Sequence, residues 1–476
     1  MNAAKQWKMY LAGEWRGSDR PLEVRFPYDE RLVATVPLAS AAELTEAIEQ
    51  AHAALPAGRE LPSHARARVL QSVSEGIAQR RDEFARTLTL ENGKAIKDAQ
   101  GEVARAITTF ALGAEEAKRL PGEVLDLDLA AGQEHRVGIV RRFVRGVVGG
   151  ITPFNFPLNL VAHKVAPAIA CGAPIVLKPA SQTPLSALLL AELIDQAGLP
   201  HGMLSVLPCR GADASPLVED PRVKVLTFTG SPAVGWGLRA RAPKKQVVLE
   251  LGGNAGVIVH HDADLEYAVA RIVLGGYALA GQSCISVQRI YVQQEIYDAF
   301  LKQFSVRVAA LRVGDPFDPM TDVGTMVDQA AAERTEQWVA EAKSAGAKVL
   351  VGGSRRGRSF EPTVLVEVPP QAKVCRHEVF APVTVVFPYQ DFDQALAAVN
   401  DSDYGLQAGV FTSDLLRVER AYRELEVGGV IVGDIPTFRA DHMPYGGAKD
   451  SGIGREGVRY AIEDYTERKI LVLNLR

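Results

Sequence analysis

Val225-Leu-Thr-Phe-Thr-Gly-Ser-Pro-Ala-Val-Gly-Trp-Gly-Leu-Arg-Ala240 reads as a short apolar strand, a glycine turn and the opening of a helix. The strand Val225–Phe228 ends at Gly230-Ser231, and Val234–Ala240 continues in residues suited to a helix. The same unit precedes it, as Ala173–Leu177 before Pro184–Ala197 and as Leu204–Leu207 before Ala212–Glu219. Strand, helix, strand at this spacing is the signature of parallel βαβ units, so an α/β fold is expected. A further alternating half runs from Ala255–Val259 to about Val432, with no internal repeat of fixed period.

Upstream of these units the pattern is helical. Ser40 followed by Glu43 predicts a capping box, with Leu44, Ile48, Ala51 and Leu55 at helical spacing before Pro56. Val69, Leu70, Val73, Ile77, Phe84 and Leu88 predict one further helix ending near Asn92-Gly93, and Glu102–Leu120 predicts another before Pro121-Gly122. Glu134–Val148 and the tail Glu467–Leu475 alternate like strands, and together they are expected to form a sheet between subunits.

The 476 residues exceed what one hydrophobic core supports, so a multidomain protein is expected. Hydrophobic residues make up 47% and charged residues 23%, ordinary values for a folded, soluble chain. With 53 basic and 57 acidic residues the net charge is -4, which offers no uniform positive surface for nucleic acid. Cys171, Cys209, Cys284 and Cys375 stand far apart, without metal-ligand or disulfide spacing, so no metal site and a reducing cytoplasm are expected. No apolar run is long enough to predict a membrane span, and the N-terminal stretch lacks the apolar core of an export signal.

Four local patterns carry chemistry. Thr229-Gly230-Ser231, with Gly235 beyond, lets a backbone approach a pyrophosphate at a helix N-terminus, although the six-residue glycine fingerprint of ordinary dinucleotide folds is absent. Glu250-Leu-Gly-Gly253 closes an apolar strand with a carboxylate. Gly281-Gln-Ser-Cys284 puts a thiol among small residues, and Thr152-Pro-Phe-Asn-Phe-Pro157 fixes the backbone around Asn155, whose amide suits a developing oxyanion. Each alone has a plainer reading: a structural turn, a solvated acid, a buried packing thiol, a capping Asn.

Taken in order along the chain, the motifs resemble the aldehyde dehydrogenase superfamily. Asn155, Lys178-Pro-Ala180, Gly230-Ser231, Glu250-Leu-Gly-Gly253, Cys284, Glu378-Val-Phe-Ala-Pro382 and Pro444-Tyr-Gly-Gly447 with Lys449 and Ser451-Gly452 match its motifs across nearly the whole length. The branches most similar are those of lactaldehyde, phosphonoacetaldehyde, non-phosphorylating glyceraldehyde-3-phosphate and succinate semialdehyde dehydrogenases. The resemblance implies a Rossmann-like cofactor domain at residues 1–120 and 142–252, an α/β catalytic domain at 253–449, and a bridging oligomerisation segment at 121–141 and 450–476. A homodimer or homotetramer is implied by analogy.

The same resemblance assigns roles. Cys284 would attack a small-molecule aldehyde, the Asn155 amide and the Cys284 backbone N–H would hold the oxyanion, and Glu250 would activate the water that hydrolyses the thioester. Lys164 matches a lysine that some members use near the site. NADP or NAD would lie along Thr152, Pro153, Phe154, Lys178, Ser181, Gly211, Phe228, Thr229, Gly230, Ser231, Gly235, Leu251, Gly252, Glu378 and Phe380. Ser181 stands where members that prefer NAD often carry Glu, so acceptance of NADP is expected. Arg105, His163, Ser283, Ile285, Arg439, His442 and Tyr445 would line the substrate side, where the arginines suit a hydroxylated or anionic aldehyde. Two alternatives stand beside this reading: a CoA-acylating semialdehyde dehydrogenase, which typically lacks the Glu250-type base, and a catalytically silent binding or structural relative, which tends to lose the nucleophile.

Overall fold

The structure is a computed structural model that describes residues 5–476. Its larger sheet has eight strands, and five of them, Val147–Ile151, Ile175–Lys178, Leu204–Val206, Val223–Thr229 and Gln246–Glu250, run parallel at its centre. The chain winds outward from Val147–Ile151 through the next two strands, then returns to its other side with Val223–Thr229 and Gln246–Glu250. Reversal of the winding direction opens a crevice beyond the strand ends, where ligands bind in sheets of this kind. The register brings Lys178 opposite Ile151, Ile151 opposite Phe228, and Thr229 opposite Glu250, so these motif residues lie side by side along one edge.

A second sheet of seven strands is parallel apart from Lys348–Val351, with Ala255–Val259 and Val287–Gln293 at its centre. The two sheets have separate hydrophobic cores, one built from Leu70, Phe84, Phe110 and Val176 among others, the second from Phe300, Phe304, Ile290 and Val385. A third sheet of Glu123–Asp126, Arg136–Val144 and Thr466–Asn474 exposes Val124, Leu471 and Val472. Its pairing joins two segments far apart in sequence, Thr466 opposite Val144 and Asn474 opposite Arg136.

Local chemistry explains the element ends. Ser40 and Glu43 satisfy each other's backbone N–H groups at the start of helix Ala41–Ala53, the reciprocal cap expected. Pro56 opens a new short helix, Leu55–Glu60, since its missing N–H costs nothing in a first turn. The helix expected as one unit from Val69 past Leu88 is two, Ser63–Gln79 and Arg81–Asn92. The break falls at Arg80, whose guanidinium pairs with Glu83 and with Glu192 of helix Leu185–Gln196, a tertiary contact that local sequence does not announce. Gly93 ends the second helix at φ +82, a left-handed cap. The next helix starts at Ile96, ahead of the expected Glu102. Glu134–Val148 is likewise two strands, Arg136–Val144 in the exposed sheet and Val147–Ile151 in the large one, parted at Gly146.

Candidate active site

A cavity of about 580 Å³ lies between the two sheets and draws its walls from both. Cys284, Asn155 and Glu250 all face it, from a loop, a turn and a strand end. The turn carrying Asn155 is held from behind. Asn92 donates to the Phe154 carbonyl at 2.8 Å, and buried Lys94 donates to the Asn155 carbonyl at 2.7 Å while paired with Glu102. Glu102 in turn accepts from the backbone N–H groups of Leu158 and Asn159, where helix Asn159–Cys171 begins. So fixed, the Asn155 amide donates to the Gln282 carbonyl at 3.0 Å, which ties it to the segment that ends in Cys284.

That segment is bent. Leu279, Ala280 and Gly281 take φ of +57°, +53° and +68°, and each left-handed side-chain-bearing residue costs about 1–2 kcal/mol. Asp98 accepts from the Leu279 N–H, and the Gln282 side chain reaches Leu279, Thr325 and Val327, so neighbouring elements hold the arc in place. Opposite, a Cβ on Gly253 would collide with the Cys284 carbonyl, which explains the small residue there. Burial pushes the Cys284 thiol up to about 12, and Tyr445 Oη lies 3.0 Å from its sulfur. At rest the group is a neutral thiol.

Glu250 is buried, and among the described residues neither carboxyl oxygen has a hydrogen-bond partner. Burial first, and the neighbouring Glu456 second, push its pKa well above the usual carboxylate range. Glu456, also on the cavity wall, goes the other way: burial disfavours its charge, but Lys164 and Arg439 bring it down to about 2. Lys164 Nζ reaches Glu456 at 3.1 Å and Thr229 at 2.8 Å, and Arg439 reaches Glu456 at 2.9 Å. The two carboxyls are thus pushed in opposite directions, Glu250 toward its neutral form and Glu456 toward its charged one.

The remaining expected residues divide. Arg105, Pro153, Phe154, Thr229, Gly230, Ser231, Leu251, Gly252, Ser283, Ile285, Glu378, Phe380, Arg439 and Tyr445 all line the cavity. Lys164 and His163 lie one layer behind it, fully buried, with His163 2.9 Å from Asp441. Thr152, Phe228 and Gly235 are buried behind the wall, whereas Lys178, Ser181 and Gly211 mark a separate region by strand Ile175–Lys178. There Ser181 Oγ donates to the Cys209 carbonyl at 3.1 Å. His442 is exposed and away from the cavity. The turn points its neighbour Asp441 inward to meet Arg105, His163 and Asn159, which sends His442 outward. Both expected substrate arginines carry acid partners, Asp441 on Arg105 and Glu456 on Arg439.

The residues present fit a dinucleotide. Helix Pro232–Arg241 opens at Ser231 with no side-chain cap, so its first N–H groups are available to an anion. A Cβ on Gly230 would meet the Phe228 ring at 2.5 Å, and one on Gly252 would meet Glu378 at 2.7 Å, so both positions keep the crevice open. Glu378, pushed up to about 7 by burial, accepts from the Gly253 N–H at 2.8 Å, and the Phe380 ring packs edge-on against Phe154 at 5.8 Å. Among the described residues no group of His, Cys, Asp and Glu is arranged to hold a metal ion.

Sequence reasoning passed over Glu456, Lys94 and Phe156. Glu456 stands in Gly452-Ile-Gly-Arg-Glu456, where an acid inside a glycine-rich turn is the available signal. Lys94 directly follows the helix cap Gly93, but nothing local says that its amine is buried.

Comparison with known proteins agrees with this geometry. Residues 15–471 match the aldehyde dehydrogenase family. The chain belongs to that family. Over all 476 residues it is 46% identical to the 3-sulfolactaldehyde dehydrogenase of Priestia aryabhattai, covering 100% of this chain and 99% of that protein. Aldehyde dehydrogenase 21 from Physcomitrella patens, solved with the reaction product succinate, superposes with a TM-score of 0.98 at 46% identity, covering 99% of both chains. The glyceraldehyde-3-phosphate dehydrogenase GapN of Methanocaldococcus jannaschii, complexed with NADP, superposes at 0.92 with 38% identity, covering 96% of this chain and 100% of that one. As a member of the aldehyde dehydrogenase family, the protein is an NAD(P)-dependent enzyme that oxidises an aldehyde to a carboxylate.

Proposed function

We propose that the chain oxidises a small anionic or hydroxylated aldehyde through a thiohemiacetal and then a thioester on Cys284. The observation that carries this reading is the convergence of the Cys284 thiol, the Asn155 amide and the unpartnered Glu250 carboxyl on one cavity. Cys284 gives up its thiol proton to solvent water, the sulfur adds to the aldehyde carbon, and the carbonyl oxygen takes the displaced C=O electron pair as an oxyanion held by the Asn155 amide and the Cys284 backbone N–H. Lys94 and Glu102 keep the Asn155 turn in position for this step. NAD or NADP, when bound, supplies the hydride acceptor. Ser231, Gly230, Gly252, Glu378 and Phe380 would hold its reactive half, with Lys178 and Ser181 at its adenosine end. Glu250 then takes a proton from the water that attacks the thioester carbonyl, which releases the acid and restores the thiol.

Arg105 supports the substrate class. Its Nε and Nη2 face Asp441, which leaves Nη1 for an anion, and the side chain is 28% exposed on the cavity wall. Arg439, at 6%, is more deeply set against Glu456. The names of the relatives, 3-sulfolactaldehyde dehydrogenase and a protein with succinate as product, support an anionic group at the far end of the substrate.

The reading extends to organisation. Residues 1–120, of which the first four lie outside the described residues, and 142–252 make the cofactor unit, 253–449 the catalytic unit, and 121–141 with 450–476 an oligomerisation segment. Strand Gly452–Ile453 of that segment lies on the large sheet, against Gln246–Glu250. The exposed apolar residues of strand Thr466–Asn474, Leu471 at 56% among them, suit burial in a homodimer or homotetramer. A cytoplasmic setting accords with four free cysteines. Among the described residues no helix is long and apolar enough to cross a membrane. The test is Cys284→Ala with a panel of aldehydes and both cofactors. Turnover should vanish while cofactor binding persists, and full activity would refute the proposal.

A further inference from the structure

The turn beyond residue 440 closes on itself through an antiparallel bridge between Tyr445 and Glu456, each of whose N–H groups donates to the other's carbonyl. The bridge sets the Tyr445 ring, 2% exposed, in a small cluster with Ile285, Leu406 and Met443, beside the nucleophile loop. Its hydroxyl stands 3.0 Å from Cys284 Sγ, the one hydrogen-bond partner it has among the described residues. The Arg439 guanidinium lies 3.8 Å from the centre of the same ring and is held there by Glu456. A buried cation on a ring face draws electron density from it, which makes the phenol O–H a stronger donor.

We propose that Tyr445 is a catalytic residue of the thiol step, donating its O–H to the Cys284 sulfur as the thiol proton leaves to solvent water and so holding the thiolate that attacks the aldehyde, with Arg439 polarising the ring. The proposal rests on Cys284 being the nucleophile. A neutral thiol can donate to or accept from a phenol, but a thiolate can only accept, and hydrogen bonds to an ionised partner are about twice as strong as neutral ones. The bond therefore favours the anion over the thiol.

The surrounding charges make that bias matter. Burial opposes ionisation of Cys284, and so do the carboxylate forms of Glu378, on the segment ahead of strand Val383–Tyr389, and of Glu250, at the end of strand Gln246–Glu250. Arg439 and the Tyr445 hydroxyl, both on the C-terminal turn, are the groups that favour the anion. Ionising Tyr445 itself is opposed by burial, Cys284 and Glu250, so it stays a protonated donor throughout.

Because the phenol bonds the neutral thiol about half as strongly as the anion, the bias is about half of a charge-assisted bond of about 1.5–3 kcal/mol, roughly three- to twelvefold in thiolate population. Intrinsic nucleophilicity moves the other way, by a Brønsted factor of about 0.4–0.5, so loss of the bond should slow thiol reactions by about two- to fivefold below the thiol's own pKa. The experiment measures carboxamidomethylation of the full-length enzyme by iodoacetamide across pH in wild type and Tyr445→Phe. Peptide mapping locates the label, thermal melting checks the fold, and a burst experiment supplies acylation and deacylation rates. In the variant, labelling of Cys284 and acylation should both slow by that factor at each pH, with deacylation unchanged.

Superimposable labelling profiles would overturn the proposal and leave Cys284 as nucleophile. Labelling that maps to Cys171, Cys209 or Cys375 and still inactivates would instead overturn the nucleophile assignment beneath it. Arg439→Lys, which keeps the phenol but withdraws the planar cation from the ring, gives an independent arm. It should slow labelling in the same direction by less, and an unchanged profile there counts against the polarising role.

Discussion

Replacing Glu250 with Gln separates the two halves of the reaction. Wild-type Glu250 has two buried, unpartnered oxygens, one of which would lie 2.9 Å from a Cβ on Gly446. Gln has the same shape and fits that space. Since burial and Glu456 push the native carboxyl toward its neutral form, a neutral amide of the same shape should leave the fold intact. Linkage points the same way. The unfolded chain gives up this proton at the ordinary carboxylate value and the folded chain retains it, so native stability contributed by Glu250 declines as pH rises between the two values. Gln removes that decline, and the melting temperature of the variant should equal or exceed the wild type's at neutral pH.

The loss is in chemistry. A positioned general base contributes roughly a hundred- to ten-thousandfold, so the hydrolysis barrier should rise by about 2.7–5.4 kcal/mol. Addition to Cys284 and formation of reduced cofactor do not need that base. Stopped-flow absorbance of reduced nicotinamide should therefore show a burst close to one equivalent per active site followed by a steady rate lowered by the same factor, and mass spectrometry should find an acyl group on Cys284. In the wild type, deacylation should speed up as pH rises through the raised Glu250 pKa, because only the ionised form accepts the proton, and that slope should disappear in the variant. A Gln variant with normal burst and normal steady state, or one that loses the burst itself, would refute the assignment.

Arg105→Ala should lower kcat/KM about ten- to hundredfold for succinate semialdehyde and leave hexanal nearly unaffected, since a hydrogen bond to a charged group amounts to about 1.5–3 kcal/mol. Equal losses for both aldehydes would mean that its pair with Asp441 supports the fold and does not read the substrate. Ser181→Glu adds a carboxylate near Lys178, and the ratio of kcat/KM for NADP over NAD should fall at least about tenfold. A wild-type enzyme with no detectable NADP turnover would overturn the expectation from which this variant is designed.

How much could be read from the sequence depends on the range of the interaction involved. The α/β class was readable because each of the five parallel strands of the large sheet is a short, mostly buried and mostly apolar run, and because Gly230 and Gly253 mark turns that leave the strand ends. The nucleophile, the amide and the base were readable for a related reason: their local backbone needs, prolines around Asn155 and small residues around Cys284, leave a trace in neighbouring positions. Arg80 splitting a continuous helical pattern was not, since its partner Glu192 lies on another helix. Neither was Lys94, which reads as a surface lysine after a helix cap and is in fact the buried support of the Asn155 turn.

The substrate side shows the same division at the scale of single residues. Arg439 and His442 stand three residues apart and the resemblance assigns both to the substrate side, but the turn directs the intervening Asp441 to Arg105 and His163 and leaves His442 in solvent. Likewise two glutamates, Glu250 and Glu456, are the same residue type and are pushed toward opposite charge states, because only Glu456 is in contact with Lys164 and Arg439. Patterning and turn chemistry act over a few residues, so the sequence alone determines the fold class and the identity of the reacting groups. Charge, burial and direction depend on which distant side chains meet, and only the tertiary structure decides that a Tyr445 hydroxyl, and not a base, touches the resting thiol.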